Sequence, residues 1–160
     1  RDCEFVTFDG IRLPFKNDSF DMIFSNQVLE HVINPKALLV EVGRVLKPGG
    51  YFTGSISHLE TYHSYSLWNY TPYGFKILIG DSGMKLKELR PGIDALTLML
   101  RRGFKDNKFF NRYWISESPF NRLIGFISFI KRKKNREINL LKLLFCGQFM
   151  FLVQKNNRDS

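Results

Sequence analysis

The chain has 160 residues, enough for one domain with a real core, since a chain of this size buries roughly 70% of its unfolded surface. Its 44% hydrophobic and 24% charged content fits a soluble globular class, and no run of 18 apolar residues offers a spanning helix. The net charge of +9 is uneven: residues 1–100 hold 10 Lys/Arg and 11 Asp/Glu, whereas residues 101–160 hold 14 and 4, so an anionic partner would meet the C-terminal third.

The opening residues "RDCEFVTFDG" carry no apolar stretch of signal-peptide type, which reads against secretion. Cys3 and Cys146 stand alone, without CxxC or Cys/His spacing; they read as free thiols in a reducing compartment and not as a metal site. Alternation in "EFVTF" predicts a strand at 4–8. Asp9, Gly10 and Pro14 then mark a loop. "DMIFS", 21–25, is a nearly continuous apolar run of the kind buried on both faces of a parallel sheet. Asn34 and Pro35 start a helix whose apolar face is Leu38, Val42, Val45 and Leu46, and Pro48-Gly49-Gly50 stop it. "YFTGSIS", 51–57, restarts as a strand, completing a βαβ unit.

Residues 58–73 lack periodicity and are rich in aromatic rings, suited to stacking on a ring or closing over a site, or else to packing in the core. Thr71-Pro72 opens a helix that Gly83 closes, and "MKLKEL" alternates as a strand. Asp94 caps "ALTLMLRR", and Ser118-Pro119 begins a helix through Ile130 that is apolar nearly all round and followed by "KRKKNR". Such a helix either lies on an anionic membrane surface or is buried. "GQFMFLVQK", 147–155, reads as a buried strand.

Two stretches, "FDGIRLPFKNDSFDMIFSNQVLEHV" and "EVGRVLKPGGYF", taken in this order and spacing, resemble the second half of a class I S-adenosylmethionine-dependent methyltransferase of the type 11-like group. The later "YHSYSLWNYTPYGFK" and "LRPGIDALTLMLRR" look like members found with surface-polysaccharide genes. The resemblance implies an α/β fold, a Rossmann-like doubly wound sheet. It also implies an incomplete one, since the first two strands and the glycine-rich loop of the family do not occur in these residues. The chain is then the C-terminal portion of a single methyltransferase domain, with a basic helical insertion at about 94–140 before the last strand. Alone it would be inactive, with apolar edges that favour aggregation.

Several residues suit that chemistry. In open α/β sheets, ligands bind at the carboxyl ends of strands. Asp9 matches the family's adenine-holding acid, with the Gly10 and Ile11 backbone approaching the ring; the plainer reading of Asp9 is an Asx turn. Ser25, Asn26 and Gln27 end the second predicted strand and, by resemblance, face the methionine part of S-adenosyl-L-methionine. Candidate bases are His58 and His63, flanking the aromatic loop, and behind them His31, which follows "VLE".

The resemblance therefore implies methyl transfer to a small polar or glycan-type acceptor by a cytoplasmic or membrane-peripheral enzyme. Alternatives are an acceptor that is RNA or lipid-linked, met through the basic third, or a non-catalytic binding module derived from the fold. A nicotinamide-dependent enzyme fits poorly, because G-x-G-x-x-G does not occur.

Overall fold

The structure is a computed structural model that describes residues 6–60, 65–105 and 108–157. Four strands form one sheet: β1 (Phe20–Asn26), β2 (Leu46–Ser57), β3 (Met84–Pro91) and β4 (Gln148–Lys155). Their order is β1-β2-β4-β3, with β1 parallel to β2 and β4 antiparallel to both its neighbours. Five helices connect them: α1 (Pro35–Val45), α2 (Pro72–Asp81), α3 (Ala95–Gly103), α4 (Pro119–Ile130) and α5 (Asn135–Phe145).

Three helix starts are written in short polar side chains. The Asn34 Oδ1 accepts from the Ala37 amide at 3.1 Å and the Thr71 Oγ1 from the Gly74 amide at 2.9 Å. Asp94, fully buried, accepts from both the amide and the hydroxyl of Thr97 at 2.7 Å. Each such cap is worth about 1 kcal/mol. Helix α1 lays Leu38, Leu39, Val42 and Val45 into the core, where Phe52, Ile56, Phe75, Ile79, Phe149 and Val153 are almost wholly excluded from solvent. The Phe75 ring joins sheet to helix, 4.9 Å from Phe151 and 5.7 Å from Phe149 between ring centroids.

The structure departs from the sequence expectation in three places. The strand predicted at 4–8 is not formed where it is described: residues 6–8 are irregular, because no neighbouring strand pairs with them among the described residues. Strand β1 is not buried on both faces; among the described residues it has a partner on one side only, and Met22 and Phe24 are 60% and 71% exposed. Helix α1 ends at Val45, two residues before the Pro48-Gly49-Gly50 stop would allow. Residues 47–50 instead bulge out of the ladder between the Phe20–Leu46 and Met22–Tyr51 pairs, with Gly49 at φ 75° and Lys47 2.8 Å from the Asp21 carboxylate. The stretch at about 94–140, expected to be helical, holds α3, a 3-10 turn at Lys108–Trp114, α4 and most of α5, which ends at Phe145. The Glu137 carboxylate accepts the Lys134 amide at 2.8 Å and so starts α5. Cys146 is a free, buried thiol whose pKa burial pushes up to about 12; Cys3 lies outside the described residues.

Candidate functional site

The carboxyl ends of β1 and β2 close on each other because residue 54 has no side chain. A Cβ there would stand 1.6 Å from the Ser25 carbonyl oxygen. Ser25 and Asn26 thus lie opposite Gly54 and Ser55, and the Ser55 hydroxyl donates to Asn26 Oδ1 at 2.5 Å. At Gln27 the chain takes a left-handed turn, φ 54°, out of the strand.

A cleft of about 550 Å³ opens over these strand ends, lined by Asn26, Gln27, Ser55, Glu60, Trp114 and Gln148 among others. The pairing of β4 with β2 supplies two of its walls, since Met150 lies opposite Ser55 and Gln148 opposite Ser57. Helix α3 holds the far side with two consecutive arginines. The Arg101 guanidinium sits 5.5 Å from the centre of the Trp114 ring, and Arg102 is 3.7 Å from the Glu60 carboxylate. A second cleft of about 450 Å³ shares Trp114 and Met150 with the first and adds Glu117, Asn121, Asn139 and Lys142. Within it, the buried Asn121 Oδ1 has no hydrogen-bond partner.

Beneath the first cleft lies a buried polar cluster. The Ser57 hydroxyl is 2.9 Å from the carboxylates of both Glu30 and Glu60, yet it has one proton to donate. Turned with its amide nitrogen inward, Gln27 donates to Glu30 at 2.6 Å and to Glu60 at 3.2 Å. Glu30 is fully buried and its Oε2 has no partner. Burial, above all, raises the Glu30 pKa, with the Glu60 charge a lesser cause in the same direction.

The sequence-derived candidates are dispersed. Asn26 and Gln27 line the cleft, and Ser25 supplies the backbone oxygen packed against Gly54. Asp9 forms an Asx turn, its Oδ1 accepting from the Ile11 and Arg12 amides at 2.9 and 2.7 Å, and these bonds lower its pKa. Gly10 (φ 80°) and the exposed Ile11 lie in that same loop, outside the cleft lining. His58 is partly desolvated, which lowers its pKa, and its ring stands 6.2 Å from Phe149; it does not line the cleft. His31 sits on the 3-10 turn Leu29–His31, also outside the lining, and His63 is outside the described residues. Sequence reasoning missed Ser55, Glu60, Trp114 and Gln148. They are far apart in the chain, and only the β2–β4 pairing and the arginines of α3 bring them together.

Residues 1–53 match the model of a methyltransferase domain family. Over 49 residues, 31% of this chain, the sequence is 47% identical to an uncharacterized methyltransferase of Schizosaccharomyces pombe. That match covers 18% of the yeast protein, so the chain spans about a fifth of the curated relative it matches. The structure of an S-adenosylmethionine-dependent methyltransferase from Methanosarcina mazei superposes with a TM-score of 0.57 over 97% of this chain and 68% of its own, at 14% identity. The cyclase SpnF superposes equally well, TM-score 0.57, over 96% of this chain and 56% of its own, at 16% identity. The chain therefore has the Rossmann-like α/β fold of these proteins. The likeness to methyltransferases in sequence is thus carried by residues 1–53, and the superpositions carry the fold.

Proposed function

We propose that the protein carrying this chain transfers a methyl group from S-adenosylmethionine to a small polar or glycan-type acceptor in the cytoplasm. The observation that carries this reading is the pair of clefts sharing Trp114 and Met150, one floored by the polar strand ends and the other rich in amides and charge. The donor set fits the cofactor: Asn26 and Gln27 stand where β1 ends, and Gly54 keeps that edge free of side-chain bulk. When bound, the cofactor supplies an already activated methyl group on a cationic sulfur.

The chain's own residues then have two tasks, placement and proton removal. The Trp114 face, backed by Arg101, suits a sugar or other flat polar group. Asn121 and Asn139 offer amides in the second cleft. For an acceptor hydroxyl, Glu60 is the carboxylate in the cleft lining, and we assign it the role of base ahead of His58, His63 and His31. Ser57 and Arg102 hold it in place.

The test is calorimetric titration of S-adenosylmethionine into the protein at its natural length, followed by methyl transfer to a panel of sugars and nucleotide sugars. Asn26→Ala should weaken cofactor binding about tenfold, the loss of one good hydrogen bond. Glu60→Gln should leave cofactor affinity intact and lower kcat by about 100-fold or more. Absence of binding in the natural-length protein would sink the reading and leave a binding module in its place.

A further inference from the structure

Helix α4 is built inside out. The residues it buries are Asn121, Ile124 and Ser128, two of them polar, and Asn121 Nδ2 donates to the Gly92 carbonyl at 2.9 Å. The residues it turns outward are Leu123, Phe126, Ile127, Phe129 and Ile130, with Phe129 79% exposed. Helix α5 packs beside it through the edge-to-face pair Phe120–Phe145 and adds exposed Leu140 and Leu144 to the apolar area. Ordinary globular helices do the reverse, and contiguous exposed apolar surface marks an interaction face.

Cations border this face. Arg122 is exposed on α4, and Lys131, Arg132, Lys134 and Arg136 are exposed where α4 gives way to α5. Residues 108–145 hold nine Lys/Arg against two acids, Glu117 and Glu137. Glu117 is already paired with Lys142, and Glu137 is taken up in starting α5.

We infer that the α4–α5 face docks the protein on an anionic lipid surface, the outward rings and aliphatic chains entering the acyl boundary while the 131–136 cations meet the headgroups. Apolar residues rimmed by lysine and arginine are the pattern of interfacial helices. A nucleic acid would use the cations but has no counterpart for Ile127, Ile130 and Leu123. A second copy docked face to face would offer the cations no acid from residues 108–145 other than Glu117 and Glu137, both already engaged. The inference rests on this face alone and does not depend on the chemistry of the cleft.

The test is co-sedimentation with phosphatidylcholine vesicles, with and without a third of phosphatidylglycerol, at low and at near-physiological salt. Binding should require the anionic lipid and weaken with salt. Lys131→Gln/Arg132→Gln/Lys134→Gln should lower partitioning about 100-fold, roughly fivefold per charge. Phe126→Ser/Phe129→Ser/Ile130→Ser should lower it by at least about tenfold. All six side chains are exposed, so circular dichroism and melting should match the parent; the salt and lipid dependence of the unaltered protein needs no variant. Any of three results overturns the inference: no vesicle binding, equal binding to neutral vesicles, or steeply salt-dependent RNA binding without vesicle binding.

Discussion

Replacing Gly54 with alanine tests the geometry at the root of the cleft. The added Cβ would lie 1.6 Å from the Ser25 carbonyl oxygen and 2.6 Å from its carbon, whereas carbon and oxygen tolerate about 3.3 Å. The obstacle is backbone inside the β1–β2 ladder and cannot rotate away as a side-chain tip would. Strands normally about 4.8 Å apart must therefore separate by more than an ångström locally. Overpacking alone costs about 1–3 kcal/mol. Losing one or two neighbouring bonds, such as Ser55 to Asn26, adds about 1 kcal/mol each. The total is about 2–5 kcal/mol, which at a urea dependence of about 2 kcal/mol per molar lowers the midpoint by roughly 1–2.5 M. Gly80→Ala is the matched control: nothing lies within 4 Å of its Cβ, it sits inside α2, and it should gain up to about 1 kcal/mol. A Gly54→Ala midpoint within about 0.3 M of the parent would refute the close approach of the strands and the cleft floor built on it.

Two other perturbations follow from the same interactions. Glu30→Gln should stabilise the protein by about 1 kcal/mol near neutral pH, because a partnerless buried carboxylate oxygen becomes an amide that can donate toward Glu60. The sign follows from the raised folded-state pKa of Glu30. Its contribution is full below the unfolded value, about 4.3, and is lost as pH rises through the folded one, so thermal melts should show the advantage of the Glu30→Gln variant over the parent growing as pH rises above about 4.3. Asn34→Ala removes the cap on α1 and should cost about 1 kcal/mol in urea unfolding, with Asn34→Ser restoring most of it.

Much of this fold was legible because the chain marks its own boundaries. Asn34, Thr71 and Asp94 each precede a helix and each accepts the amide three residues on. Helix α5 carries no such residue; Lys134 stands at its cap position and only Glu137 signals the start. The alternation of "EFVTF" promised a strand, but alternation specifies a face and needs a neighbour before it becomes a ladder. The orientation of α4 was hidden for a related reason: a helix apolar nearly all round has no face to read, and only its packing reveals that Asn121 and Ser128 point inward. At the site, Asn26 and Gln27 were visible from their place at a strand end. Gln148 belongs to the cleft through pairing across the sheet and Trp114 through its contact with Arg101 of α3, and neither leaves a local trace in the sequence.

Strand β4 stands between β2 and β3, which do not touch within the sheet. During synthesis, β3 therefore waits for a neighbour until residue 148 has left the ribosome. The 56 residues between Pro91 and Gln148 take roughly 3–11 s to make at about 5–20 residues per second. For that interval the nascent chain shows an unpaired strand edge beside the emerging oily α4. Folding of this sheet is thus gated by the arrival of β4, and a chaperone or a nearby bilayer has those seconds in which to shield both.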